Sequence, residues 1–203
     1  MTEPTQRQAA EGGGSGGTMG SRRRPLAVAL TGSIGAGKSE ALKAFARHGA
    51  ATISSDAIVH ELIEQDPEVR AALSERFGTT DRGELARIVF ADRAELDWLE
   101  RLLHPRVLER HAEWYERQDA QLAVAEIPLL YETGGELRFD AVVVITAPEE
   151  VRRARAKVPL EGRAERLIPD KEKVRRADFA YVNDGTPEEL DAWVAGVVRS
   201  LSS

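Results

Sequence analysis

The stretch that most constrains this chain runs from Leu26 to about His48. An unbroken apolar segment, Leu26-Ala27-Val28-Ala29-Leu30, leads within two residues into Gly32-Ser33-Ile34-Gly35-Ala36-Gly37-Lys38-Ser39, and a helical pattern follows from Lys38. A short run with no polar alternation is a strand buried on both faces, as in a parallel sheet covered by helices. The loop after it has the spacing Gly-x-x-x-x-Gly-Lys-Ser in its required strand–loop–helix setting. Its glycines let the backbone wind closely round phosphate groups, while successive N–H groups and the helix N-terminus meet their charge. Lys38 is placed to reach the β- and γ-phosphates and Ser39 to give a hydroxyl to magnesium. The chain has 28 basic residues, and only five are lysines, so a lysine here is not background. Gly32, Gly35, Ala36, Gly37, Lys38, Ser39 and Glu40 are the predicted nucleotide-binding set. Glu40 puts a carboxylate in the helix's first turn, where the dipole favours it.

Further strand-like runs occur at Ala51-Thr52-Ile53-Ser54, Leu122-Ala123-Val124-Ala125-Glu126-Ile127, Ala141-Val142-Val143-Val144-Ile145 and Phe179-Ala180-Tyr181-Val182. Helical pattern fills residues 57–120 between the second and third runs, and Pro105 is expected to break it. A closing helix spans Pro187 to Leu201. Strands alternating with helices predict an α/β fold with a five-stranded parallel sheet, and residues 57–120 read as a helical insertion. In such sheets ligands bind at the carboxyl ends of the strands. The second strand ends in Ser54-Ser55-Asp56. Asp56 can take a proton from an acceptor hydroxyl, hold a magnesium-bound water, or cap a helix starting near Ala57. The third strand ends at Glu126, a candidate to hold magnesium through water. Glu132 can equally begin a solvated turn, and His104 can be structural or ligand-binding.

Composition narrows the function classes. No cysteine is present, which excludes disulfide frameworks, thiolate zinc sites and thiol nucleophiles. The net charge is −6, which argues against a nucleic-acid binder working by bulk charge. No apolar run is long enough for a membrane helix. Residues 1–24 differ from the rest: six glycines and serines in a row, Gly12 to Gly17, precede Arg22, Arg23 and Arg24. With Arg7 opposed by Glu3 and Glu11, this leader carries +2 and leaves −8 for residues 25–203. It is expected to be disordered. A cytoplasmic protein without nucleic-acid or membrane partners is expected, as a monomer or weak homo-oligomer.

The ordered set Ala29-Leu30-Thr31-Gly32 through Ser39, Ser55-Asp56-Ala57, Leu103-His104-Pro105, Pro128-Leu129-Leu130-Tyr131-Glu132 and Asn183-Asp184-Gly185 resembles the dephospho-coenzyme A kinase family over residues 25–201. The resemblance implies a P-loop kinase core with a helical substrate-binding insertion and a lid, here short, at 151–176. It implies ATP and Mg2+ as cofactors and transfer of the γ-phosphate to the ribose 3′-hydroxyl of dephospho-coenzyme A. It implies Lys38 and Asp56 as catalytic, the latter as base, with Arg155 and Arg163 acting from the lid. Asn183 falls near adenine. Asp56, His104, Pro128 and Leu129 fall on the substrate side, and Ser39 and Glu126 at the metal.

Several positions depart from the family pattern. Ser54-Ser55-Asp56 stands for the usual Asp-Ala-Asp, His60 for a common arginine and Leu167 for a lid glutamine. Glu40 replaces a second hydroxyl residue. Another P-loop nucleotide or nucleoside kinase is the competing expectation, and a non-catalytic nucleotide-dependent module a more remote one. No Asn-Lys-x-Asp guanine motif is present.

Overall fold

A computed structural model describes residues 24–155 and 167–203. The expected leader, apart from Arg24, and the middle of the expected lid, Arg163 included, lie outside the described residues.

Five strands, β1 (Leu26–Gly32), β2 (Ala51–Ser54), β3 (Leu122–Glu126), β4 (Ala141–Thr146) and β5 (Phe179–Val182), form one parallel sheet in the order β2-β3-β1-β4-β5. The central position of β1 explains its unbroken apolar run, because both faces are covered. Its register runs from Leu26 opposite Leu122 to Leu30 opposite Glu126 on one side, and from Val28 opposite Ala141 to Gly32 opposite Ile145 on the other. That register aligns the carboxyl ends of β1 and β3. The edge strand β5 is only partly covered and shows alternation.

Helices α1 (Lys38–Arg47) and α8 (Pro187–Leu201) cover one face, packing Phe45, Leu190, Val194 and Val197 on Val28, Leu30, Val124 and Val143. Thr186 and Glu189 form a reciprocal capping box at the start of α8, which fixes where that helix begins. On the other face Ala29, Val142 and Val144 meet Leu130 and Tyr131 from the segment after β3.

The insertion comprises α2 (Ser55–Gln65), α3 (Pro67–Phe77), α4 (Arg82–Ala91) and α5 (Arg93–Glu116). It has its own apolar core of Ile58, Leu62, Ile63, Val69, Leu73, Leu85 and Leu103. Asp66, Asp81 and Asp92 each cap the helix that follows, so the helix starts are set locally.

Two expectations are corrected here. Helix α2 begins at Ser55, not near Ala57, so Asp56 lies in its first turn and Ser54 holds the N-cap position. Capping is therefore not the role of Asp56. Helix α5 continues through Pro105 for 24 residues. A proline removes one backbone donor and crowds the preceding turn, but Leu99, Leu102, Leu103 and Val107 anchor the helix to the insertion core on both sides of it. The Arg106 guanidinium also donates to the Leu102 carbonyl at 3.1 Å. Tertiary packing outweighs the local break.

The expected lid, 151–176, is described only at its two ends. Helix α6 (Glu149–Arg155) precedes the undescribed residues and α7 (Asp170–Arg176) follows them. Ile168 and Ala177 pack into the Leu130 cluster, and Lys173 is 1% exposed with its ammonium 2.8 Å from a Glu132 carboxylate oxygen. Residues 167–176 are thus held to the core by an ion pair as well as by apolar contact.

Leu73 is fully buried in the insertion core, where truncation leaves a cavity. Leu73→Ala is expected to lower stability by about 2–5 kcal/mol in urea unfolding, with no loss at the phosphate loop, whose core is a separate cluster.

Candidate active site

The loop between β1 and α1 carries two glycines whose backbone excludes other residues. Gly37 has φ +96°, and a Cβ there would fall 2.3 Å from the Asn183 side-chain nitrogen. At Gly32 an added Cβ would lie 1.9 Å from the Ile145 carbonyl oxygen, because β4 runs alongside. Ala36 is fully buried beneath the loop and Gly35 lies at its turn. Lys38 donates to the Ser33 carbonyl at 3.0 Å across the loop. The Ser33 hydroxyl is in turn bonded to the Asp170 carboxylate at the start of α7.

Glu126, at the end of β3, is buried to 5% exposure. Its carboxylate lies 3.5 Å from the Ser39 hydroxyl, and Ser54 stands opposite it in the β2–β3 register. Burial pushes Glu126 above its ordinary value, with Lys38 opposing. Burial likewise draws the Lys38 ammonium down, and Glu126 and Asp56 oppose that fall. Lys38, Ser39, Glu126 and Asp56 are therefore one electrostatic unit at the carboxyl ends of β1, β2 and β3. Asp56 is exposed at the first turn of α2, open to an incoming hydroxyl.

The other expected residues fall as follows. Asn183 is buried and donates its amide to the Ala36 carbonyl at 2.8 Å, bracing the loop from behind. Arg155 donates to the Asn183 carbonyl at 3.0 Å beside the same brace. The Glu40 carboxylate faces Lys43 and Arg47 along the surface of α1, so only its backbone belongs to the loop. Pro128 accepts a long bond from the Thr31 hydroxyl, at 3.4 Å, and Leu129 beside it is exposed. His104 is exposed on α5, with Leu103 turned inward. His60 pairs with Glu64 at 2.7 Å and contacts Arg82.

Residue patterns alone did not single out Ser55, His111 or Lys173. The Ser55 hydroxyl donates to the Glu126 carbonyl at 2.9 Å and lies 3.0 Å from His111 Nε2. Lys173 is close enough to Lys38 to oppose its charge. Rarity was the available signal: the argument that marks Lys38 among so many arginines marks Lys173 as well. For Ser55 and His111, 56 residues apart, only the packing of α5 beside α2 reveals the contact.

The residues fit a magnesium–triphosphate pair. A serine hydroxyl beside a carboxylate, next to a glycine-rich phosphate loop, suits an ion held mainly by phosphate oxygens and water. Among the described residues no three His, Asp or Glu side chains gather into a protein-only metal cage.

Sheet order, loop and acid placement together define a P-loop phosphotransferase. The shikimate kinase of Aquifex aeolicus shares the fold at TM-score 0.51 and 17% identity, covering 86% of this chain and 97% of that one. The family model described as dephospho-CoA kinase matches residues 26–189, and the chain belongs to that family. A dephospho-CoA kinase of Rhodopseudomonas palustris (strain BisB18) is 39% identical over 192 residues, covering 86% of this chain and 95% of its own. One from Mesorhizobium japonicum is 41% identical over 194 residues, covering 87% and 96%. The solved dephospho-CoA kinase of Campylobacter jejuni superposes at TM-score 0.63 with 27% identity, over 89% of this chain and 99% of its own. A Thermus thermophilus protein of solved structure superposes at 0.75 with 32% identity, over 89% and 100%.

Two outcomes are expected. Gly37→Ala should abolish nucleotide binding, measured by calorimetry with an ATP analogue, because the new methyl strains the loop and strikes the Asn183 brace. Burial lowers the His111 imidazole below its ordinary 6.5. As pH falls below that value the unfolded chain takes up a proton that the folded chain resists, so stability must drop. Urea unfolding from pH 8 to 5 should show that drop, and His111→Gln should flatten it.

Proposed function

We propose that this chain transfers the γ-phosphoryl group of ATP to the ribose 3′-hydroxyl of dephospho-coenzyme A, giving coenzyme A and ADP, the last step of coenzyme A synthesis. The observation that carries the reading is the meeting of Lys38, Ser39, Glu126 and Asp56 at three adjacent strand ends in a chain of this family.

The loop N–H groups from Gly35 to Glu40 receive the β- and γ-phosphates. Lys38 leaves the Ser33 carbonyl and follows the charge of the group being transferred. Magnesium, when bound, neutralises charge on the β- and γ-oxygens; Ser39 holds it directly and Glu126 through water. Asp56 accepts the proton of the 3′-hydroxyl as its oxygen bonds to the γ-phosphorus and the bond to the β-phosphate oxygen breaks. The insertion at 57–120, with His104, takes the coenzyme moiety, and Pro128 and Leu129 flank it. Arg155 and Arg163 stabilise the transferring group from the lid side. Asn183 contributes to the nucleotide site through the loop it braces. The enzyme works in the cytoplasm as a monomer or weak homo-oligomer, without nucleic-acid or membrane partners. Its net charge of −6 supports the absence of a nucleic acid.

An ADP-release assay with and without dephospho-coenzyme A, with adenosine nucleotides as control acceptors, tests the reading. ADP release stimulated equally by the control acceptors overturns it. Lys38→Ala is expected to lower turnover by at least roughly a hundredfold with the fold retained. Asp56→Asn should lose turnover while keeping ATP affinity and thermal stability, since Asp56 does not hold the cap.

A further inference from the structure

Glu126 is met from β2 and from the start of α2 by consecutive serines. Ser54 pairs with it in the β2–β3 register. Ser55 gives its hydroxyl to the Glu126 carbonyl at 2.9 Å. The same Ser55 oxygen lies 3.0 Å from Nε2 of His111 on α5. A hydroxyl has one proton, and a backbone carbonyl only accepts. The Ser55 proton therefore goes to Glu126, and His111 must donate from Nε2, which fixes its tautomer. A continuous hydrogen-bonded chain thus runs from the helical insertion through the start of α2 to the end of β3, and Asp56 is the next residue along.

We propose that Ser55 and His111 are positioning residues, a relay that sets Glu126 and Asp56 against Lys38 and ties the insertion to the transfer site. The proposal rests on the phosphoryl-transfer reading above. It gives a reason for a serine at 55, where the family usually has alanine. The Ser55 bond acts on the Glu126 backbone. It holds the first turn of α2 to β3, so the direction from which Asp56 meets an acceptor is fixed by α5. Small displacements at such a centre are costly in rate, and the cost falls on turnover when ATP is held elsewhere by the loop.

The test is steady-state kinetics on four variants of the full chain, with melting temperatures and histidine nitrogen NMR in parallel. Ser55→Ala and His111→Leu should each lower kcat by about tenfold while leaving the ATP KM within about twofold. The double variant should be no slower than either single one, because both break the same chain. His111→Gln, whose amide can donate to Ser55 from a similar place, should stay within about threefold of the parent. In the parent the His111 nitrogens should report the Nε2–H tautomer, and in Ser55→Ala that preference should weaken. Parent-like turnover in Ser55→Ala, or equal losses in His111→Gln and His111→Leu, overturns the proposal. So do additive losses in the double variant. If Ser55→Ala does not fold, the His111→Gln and His111→Leu pair decides alone. An inactive parent enzyme refutes the phosphoryl-transfer reading; an active parent with unaffected variants refutes only the relay.

Discussion

A lysine and a glutamate must stay charged beside each other while partly withdrawn from water, at the ends of neighbouring parallel strands. Each is pushed toward neutrality by burial and held back by the other. The sheet register places Leu30 opposite Glu126, so the loop that leads to Lys38 starts level with the carboxylate. The Ser39 hydroxyl lies 3.5 Å from the same carboxylate. A triphosphate with its cation enters a site where opposite charges already face each other, so little reorganisation remains for the transfer itself.

Backbone geometry sets the second layer. The phosphate loop has room for its turns only because Gly32 lets β4 pass against it and Gly37 leaves space for Asn183. Asn183 extends from the end of β5 to the Ala36 carbonyl, so a residue far along the chain locks a loop near its beginning. Arg155 then rests on the Asn183 backbone. The loop is thereby supported by sheet, brace and α7 together.

Much of this was legible in the sequence. Strand runs, loop spacing and the acids at strand ends depend on residue type and periodicity, and all five strands fall where apolar runs stand. What was not legible depends on contacts between distant elements. Pro105 reads as a break, yet apolar neighbours on both sides keep α5 whole. Asp56 reads as a base that could also be a cap until the helix is seen to start at Ser55, two residues before Ala57. Nothing in the charge pattern of 167–176 shows that Lys173 is buried with its own carboxylate, Glu132. Glu40 has the right position and the wrong direction, because Arg47 on the same helix draws its carboxylate along the surface.

Helix α7 shows how burial of charge can organise a site from outside it. Asp170 holds the Ser33 hydroxyl of the phosphate loop, and three residues later, on the same helical face, Lys173 reaches Glu132 after β3. Residues three apart on a helix point the same way, so one short helix spans the loops that follow β1 and β3. The Glu132 oxygen that meets Lys173 also accepts the Ile168 N–H at 3.0 Å, closing the turn that leads into α7. Arg176 adds a third attachment, to Glu136 and over the face of Tyr131 at 4.4 Å. Such pairs contribute little net stability against an apolar replacement of the same shape, but they tolerate only one register. One short helix therefore ties the loop after β1 to the segment after β3 by charge, beside the apolar contacts of Ile168 and Ala177.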